Sequence, residues 1–286
     1  MARIASLNIL LSTTGNDYLA EQYGAVIENV QKGCISQALK NTALSGTPGA
    51  GTYEAKRFAN KTSNSYGTAR SGGAGQAVKA KPVTVPVNVD KEIVVEVEQK
   101  DVTLYGVDNL IEREAASAQK SMVRELERAF FAEANTAGTA FTPSAGASTV
   151  EAIAEELIQS VETVQNDYVD GVERDMIAVV CDPATYGQLR TYFDKVTDGG
   201  AHGADIATFH GVRIYSSVYL PQGVDAIAMA EGAIAQPVLP TIAPAERIQF
   251  SNAIGFGIFY SYGTKAVAED LVFVYSSGGT TTTTGA

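Results

Sequence analysis

The chain reads as an α+β protein of at least two layers, on three observations. Val83, Val85, Val87, Val89, Ile93, Val95 and Val97 share one parity, the period of a strand. Over 108–135 apolar residues recur at helical spacing opposite a charged face. Residues 256–262 and 271–275 are dense in aromatics and Val, and read as two further strands.

The elements follow in order. Residues 17–40 carry Tyr23, Ile27, Val30, Cys34 and Leu39 at helical spacing, interrupted at Gly33. From 41 to 81 the composition turns to Gly, Ser, Thr and Asn, which predicts a long loop without regular structure. Tyr53, Phe58 and Tyr66 are spaced through it, so it contacts something. In the alternating run, Pro86 cannot donate to a ladder and marks an edge strand or a bulge.

Asp108 is placed to cap the long helix. Its buried stripe is Ile111, Ala115, Ala118, Met122, Leu126, Ala129 and Phe130; Arg113, Lys120, Arg124, Glu125, Glu127 and Arg128 face water. Such a helix, about 42 Å long, exceeds what a small domain needs and reads as a spine. Ser148 and Glu151 form a capping box for a second helix, with Val150, Ile153, Leu157, Val161 and Val164 inward. Residues 176–181 read as a buried strand, and Asp182-Pro183 as cap and first position of a third helix. Strands are expected at 212–218 and 226–230, and Pro237, Pro240 and Pro244 punctuate a connection. The tail, 276–286, is Ser/Gly/Thr low complexity and reads as flexible.

At 286 residues and 45% hydrophobic content, the chain buries a full core as one large or two smaller domains. Charged residues are 19%, a weakly charged surface that suggests partners cover part of it. Net charge is −11 but uneven. Residues 51–91 hold seven Lys/Arg against Glu54 and Asp90, a net +5; residues 92–286 hold 11 basic and 27 acidic residues, a net −16. Copies of such a chain attract each other, cationic arm to anionic body. Nucleic acid is a weaker candidate for the arm, because the basic set is small and the body repels phosphate.

Cys34 and Cys181 are far apart, without CxxC or His-rich surroundings, which argues against zinc and against a disulfide scaffold. No stretch is long and apolar enough to span a membrane, and the N-terminal run 7–11 is a poor signal peptide. Chemistry is sparse. HExxH, Walker A, GxSxG and GxGxxG patterns are absent. The Gly-rich run 46–51 lacks Lys-Ser/Thr and reads as a turn-rich linker; Glu155 and Glu156 face different directions on a helix. A His202–Asp205 pair is conceivable, and a hydrolase using His202 or His210 is the enzyme alternative. No cofactor is called for.

Four segments carry a resemblance. They are VPVNVDKEIVVEVEQKDVTLYGVDNLIEREAASAQKSMVRELERAFF (85–131), AVVCDPATYGQLR (178–190), FHGVRIYSSVYLP (209–221) and FGIFYSYGTKAVAEDLVFVY (256–275). Each is a packing pattern, but their order resembles the major capsid proteins of tailed bacteriophages, the coat-protein branch of the Hong Kong 97-type fold. That fold is shared with encapsulin shells.

The resemblance implies an N-terminal arm (1–50), an extended loop and strand lying over a neighbouring subunit (51–100), a peripheral domain with the spine helix (101–149 and 246–276) and an axial domain (150–245). It implies a subunit that assembles with itself into pentamers and hexamers of an icosahedral head around double-stranded DNA. The protein is then found in the virion and assembled in the host bacterial cytoplasm. Only about forty residues precede the loop, so a separate scaffolding protein is expected, with a portal and decoration proteins as further partners. Lys56, Arg57, Lys61, Arg70, Lys79 and Lys81 of the loop are the candidate intersubunit contacts. Reversing Arg57, Lys61 and Arg70 to Glu should lower shell yield without unfolding the monomer. An encapsulin-type compartment around an enzyme cargo and a phage tail-tube subunit are the structural alternatives.

Overall fold

The structure, a computed structural model, describes residues 7–46, 51–63, 65–67, 76–98, 100–102, 106–196 and 208–278, with backbone alone for 193–196. Its contacts divide into two units. The first comprises 1–38, 86–129 and 236–263; the second comprises 39–85, 130–235 and 264–286.

In the first unit, helix α1 (Thr13–Gly33) starts at Ser12, whose hydroxyl accepts from the Gly15 N–H at 3.3 Å. It stops at the expected interruption, and a short helix α2 (Ile35–Leu39) follows. Leu19, Tyr23, Val26 and Val30 are buried, a face of helical period. They pack with the spine helix α3 (Val107–Ala137), 31 residues and about 46 Å long, of which 107–129 belong to this unit. Ile111, Ala115, Ala118, Met122 and Leu126 are buried as the spacing predicts. Asp108 lies inside the first turn, not at the cap; its charge there still suits the N-terminal end of the helix dipole.

The sheet of this unit has the order β13-β14-β4, from Val238–Arg247, Ile254–Tyr262 and Val89–Val97, all antiparallel. Residues 238–247 therefore form a strand where a proline-punctuated connection was expected. The prolines are tolerated because β13 is an edge strand, and Pro244 sits at the register shift between Ala243 and Glu246. Tyr23 meets Phe256 edge to face, with ring centroids 6.2 Å apart.

One reading of solvent exposure on this unit needs correction. Glu127 is buried, not on the water-facing side of α3; its carboxylate accepts from the backbone N–H groups of Ile35 and Ser36 at 2.5 and 3.2 Å. Gln236 is fully buried, donating to the Leu126 carbonyl at 2.9 Å and accepting from Gln37 at 2.8 Å.

The second unit contains a six-stranded mixed sheet, β5-β16-β11-β8-β10-β9 (Thr139–Phe141, Val272–Tyr275, Ala226–Ala230, Ile177–Cys181, Val212–Ser216, Thr208–Phe209). Strands β8 and β11 are buried at every residue, as central strands covered on both faces must be. Helices α4 (Val150–Glu162) and α5 (Pro183–Val196) pack on the sheet. At α5, Asp182 accepts from the Thr185 N–H at 2.8 Å, and Pro183 takes the first position as read. At α4 the cap residue is Thr149, without a side-chain bond, so the expected Ser148–Glu151 box does not form. The two aromatic strands part company: β14 joins the sheet of the first unit and β16 that of the second.

Candidate assembly surface

Part of the region 41–81, expected to lack regular structure, belongs to a sheet. Strands β1 (Leu44–Ser45), β2 (Thr52–Phe58) and β3 (Ala80–Pro86) lie in the order β1-β2-β3. Ala55 and Val85 are buried with Ala235 and Val267, and half-buried Leu44, Tyr53 and Val83 pack on that cluster. The alternating run 83–97 is thus two strands in different sheets, both at an edge, with Pro86 ending the first.

Beyond the sheet the two limbs of the arm stay together. Ala59 N–H donates to the Lys79 carbonyl at 2.9 Å. Gln76 donates to the Thr62 carbonyl at 2.6 Å and accepts from the Thr62 N–H at 3.1 Å. Lys61 donates to the Ala77 carbonyl.

Arg57 holds the base of the arm. Its guanidinium makes a two-pronged pair with Asp270 at 2.5 and 2.7 Å, and its Cζ lies 5.2 Å from the centre of the Tyr168 ring. Asn166 donates to the same carboxylate at 2.5 Å. Burial opposes ionisation of Asp270, but the bonds from Arg57 and Asn166 outweigh it and hold the carboxyl below its ordinary range. With only 13% of its side chain exposed, Arg57 is bonded within its own subunit.

Lys56, Lys61, Lys79 and Lys81 are exposed. Lys56 reaches Glu54 at 3.4 Å across the surface. Arg70 lies outside the described residues. Charge alone did not reveal the apolar part of this surface: Phe58, Tyr66 and Val78 are 58%, 90% and 76% exposed. Large apolar groups beside lysines, on a limb that leaves the core, form a surface suited to being covered by protein.

Among the described residues considered for chemistry, His210 is brought beside Glu155. His210 and Gly211 have φ of +48° and +92° and form the two-residue turn between β9 and β10, a geometry that hairpins favour. The His210 ring stacks on Phe209 at 4.1 Å, and its Nδ1 lies 2.9 Å from Glu155. Glu155 also pairs with Arg174, whose bond, outweighing burial and aided by His210, lowers its carboxyl to about 2. Glu156 instead accepts from the Ser144 N–H at 2.8 Å. Burial pushes the Cys181 thiol up to about 12, so it is no thiolate. His202 and Asp205 lie outside the described residues. Among the described residues no group of three His, Cys, Asp or Glu is placed to hold a metal ion, and no helix is long and apolar enough to cross a membrane.

The phage capsid protein family matches residues 83–276, more than half of the chain. The chain belongs to that family. The match runs from the last arm strand through the spine helix to β16, so it covers the helix, both large sheets and their connections. No curated protein matches this capsid protein. Solved structures share its fold. The Mycobacterium phage Che8 chain is 17% identical with a TM-score of 0.56, over 98% of this chain and 94% of that one. The capsid of Cyanophage P-SCSP1u is 14% identical with a TM-score of 0.57, over 83% and 85%. A virus-like particle from Pyrococcus furiosus is 14% identical with a TM-score of 0.60, over 91% and 100%. The fold is therefore the Hong Kong 97 type, as the four segments implied. Fold likeness alone reaches both phage heads and the Pyrococcus particle. The family match favours the phage capsid over the encapsulin-type compartment.

Proposed function

We propose that this protein is the major, self-assembling shell subunit of a tailed-phage head, closing as pentamers and hexamers around double-stranded DNA that it does not read by sequence. The observation that carries this is the pairing of capsid-family membership with an arm whose exposed Phe58, Tyr66, Val78 and lysines have the make-up of a covered surface. It works as a structural subunit of the virion, assembled in the host cytoplasm with a separate scaffolding protein, a portal and decoration proteins.

In this reading the arm, 51–85, lies over a neighbouring copy. The β13-β14-β4 sheet and the spine helix form the peripheral domain, and the six-stranded sheet with α4 and α5 forms the axial domain. That assigns β16 to the axial sheet, in which it is hydrogen-bonded. Lys61, Lys79 and Lys81, with Lys56 and Arg70, supply the cationic contacts. Arg57 supports them from within its own subunit.

Electron microscopy of the purified chain, alone and with a candidate scaffold, tests the reading. Closed particles of uniform size are expected; stacked rings would indicate a tail tube, and small oligomers under both conditions would defeat it. The contents, DNA or protein cargo, separate a head from a cargo compartment.

A further inference from the structure

By spacing alone, the outer side of α3 carries both signs of charge. Folding withdraws the acids from it. Glu127 is buried, accepting from the Ile35 and Ser36 N–H groups. Glu125 is half-buried, 3.0 Å from the Lys91 Nζ, and accepts from the Tyr262 hydroxyl at 3.0 Å. Burial and then the charges of Asp108 and Glu112 raise the Tyr18 hydroxyl above its ordinary range, which puts those two acids on the α1 side. Arg113, Lys120, Arg124 and Arg128 remain exposed, and from 113 to 128 the other exposed residues are Ala116 and Ser117. At 3.6 residues per turn the four cations fall within about 80° of arc, along about 22 Å of axis. Lys120, Arg124 and Arg128 stand four apart, so like charges adjoin at each turn, which weakens a helix. Helix stability therefore does not account for such a row in a chain of net charge −11.

We propose that this row is the surface through which the subunit contacts the phosphate backbone of the enclosed DNA. This rests on the shell reading above, in which double-stranded DNA lies inside. A protein partner would call for apolar and aromatic anchors at the centre of the contact. Among the described residues, none of the exposed large apolar side chains lies on α3. Phosphate calls only for cations within reach, and three of the four are arginines, whose planar fork fits it. Such contacts are blind to base sequence. The acidic body does not cancel them. Salt screens exposed charges beyond about 8 Å, and successive cations from 120 to 128 rise about 6 Å apart, so a phosphate on the row meets the row first.

Two measurements test it. Lys120→Gln, Arg124→Gln and Arg128→Gln together change an exposed face, so the melting temperature of the free subunit should stay within a degree or two. The probe is a fluorescein-labelled random-sequence duplex of about 20 base pairs, and its affinity for the free wild-type subunit should fall with salt at a log–log slope of about −3. The triple variant should bind about tenfold more weakly or worse, with a slope shallower by about 2.7. Equal affinity and slope in the two would overturn the proposal. So would a wild-type subunit that prefers a poly-glutamate peptide to the duplex, which would assign the row to an acidic protein segment. Ser117→Cys sets an exposed thiol in the row, while Cys34 and Cys181 are buried. A maleimide carried on a polymer too large to pass the shell should label the free subunit and leave closed particles of this chain unlabelled. Equal labelling would place the row on the outer surface and overturn the proposal. A wild-type chain that forms no particles would instead overturn the shell reading, while the duplex measurement still reads the row's affinity for phosphate.

Discussion

Glu127 accepts the backbone N–H of Ile35 at 2.5 Å, joining the spine helix to the start of α2 across 92 positions of sequence. The carboxylate also takes the Ser36 N–H, and it is almost wholly buried. Glu127→Ala would leave both donors unpaired in a dry environment. We expect a loss of about 2–4 kcal/mol in urea unfolding. Glu127→Gln keeps an oxygen in place and should lose clearly less. Equal losses would mean that the ionised carboxylate is required and that an amide oxygen in the same place does not substitute for it.

Arg57 and Asp270 tie the arm to its own subunit. Asp270 is about a third exposed, so the pair is discounted for solvent, and Arg57→Ala should lower stability by about 1–2 kcal/mol. Arg57→Lys cannot reproduce the two-pronged contact and should rescue only partly. Hydrogen exchange would locate the effect: amides of 52–58 should exchange faster, and those of β8 should not change.

The arm lysines should act on assembly and not on folding. Lys61→Glu, Lys79→Glu and Lys81→Glu together should cut particle yield while leaving the melting temperature of the free subunit within a degree or two. Raising salt should narrow the gap between this variant and wild type, because exposed charges are screened. Arg57 is left out of the triple, since its reversal would strike the fold.

Glu155 predicts a pH dependence. Its carboxyl lies at about 2 in the folded chain against an ordinary 4.5, chiefly through the bond from Arg174. A depressed carboxyl stabilises fully above its unfolded value and progressively less as pH falls from 4.5 toward 2. Glu155→Gln should therefore lower the urea midpoint at neutral pH, and its deficit should shrink as acid is added through that window. A deficit independent of pH would remove the ionic explanation.

Gly257 of β14 lies opposite Val94 of β4. A methyl there would run into the Ile93 carbonyl and the Val94 Cα, which are backbone and cannot step aside. Gly257→Ala should cost about 1–3 kcal/mol in thermal unfolding. Gly255→Ala is the control, because its nearest neighbour is the Ile248 side chain at 3.5 Å, an ordinary contact.

Local period was enough to locate most elements. The parity of Val83 to Val97, the stripe from Ile111 to Leu126 and the Asp182-Pro183 start are each written in neighbouring residues; the helix stripe is buried, and the strand parity is buried at Val85 and Val97 and half-buried between them. The four ordered segments carried the family as well. Partnership was not legible. Strand 238–247 hides behind its prolines until β14 provides a ladder on one side only. Residues 52–58 become a strand because Ala55 is buried with Val85, Ala235 and Val267. The water-facing reading of Glu127 failed because helical spacing says which side of α3 a residue occupies, not which distant N–H groups wait there.

The sequence by itself determined where the chain must be helical or extended and that charge divides between arm and body, since these follow from residues a few positions apart. Only the tertiary structure decided that Arg57 pairs with Asp270 and that Phe250 stands in water. Both depend on what long-range packing brings near a side chain or leaves it without.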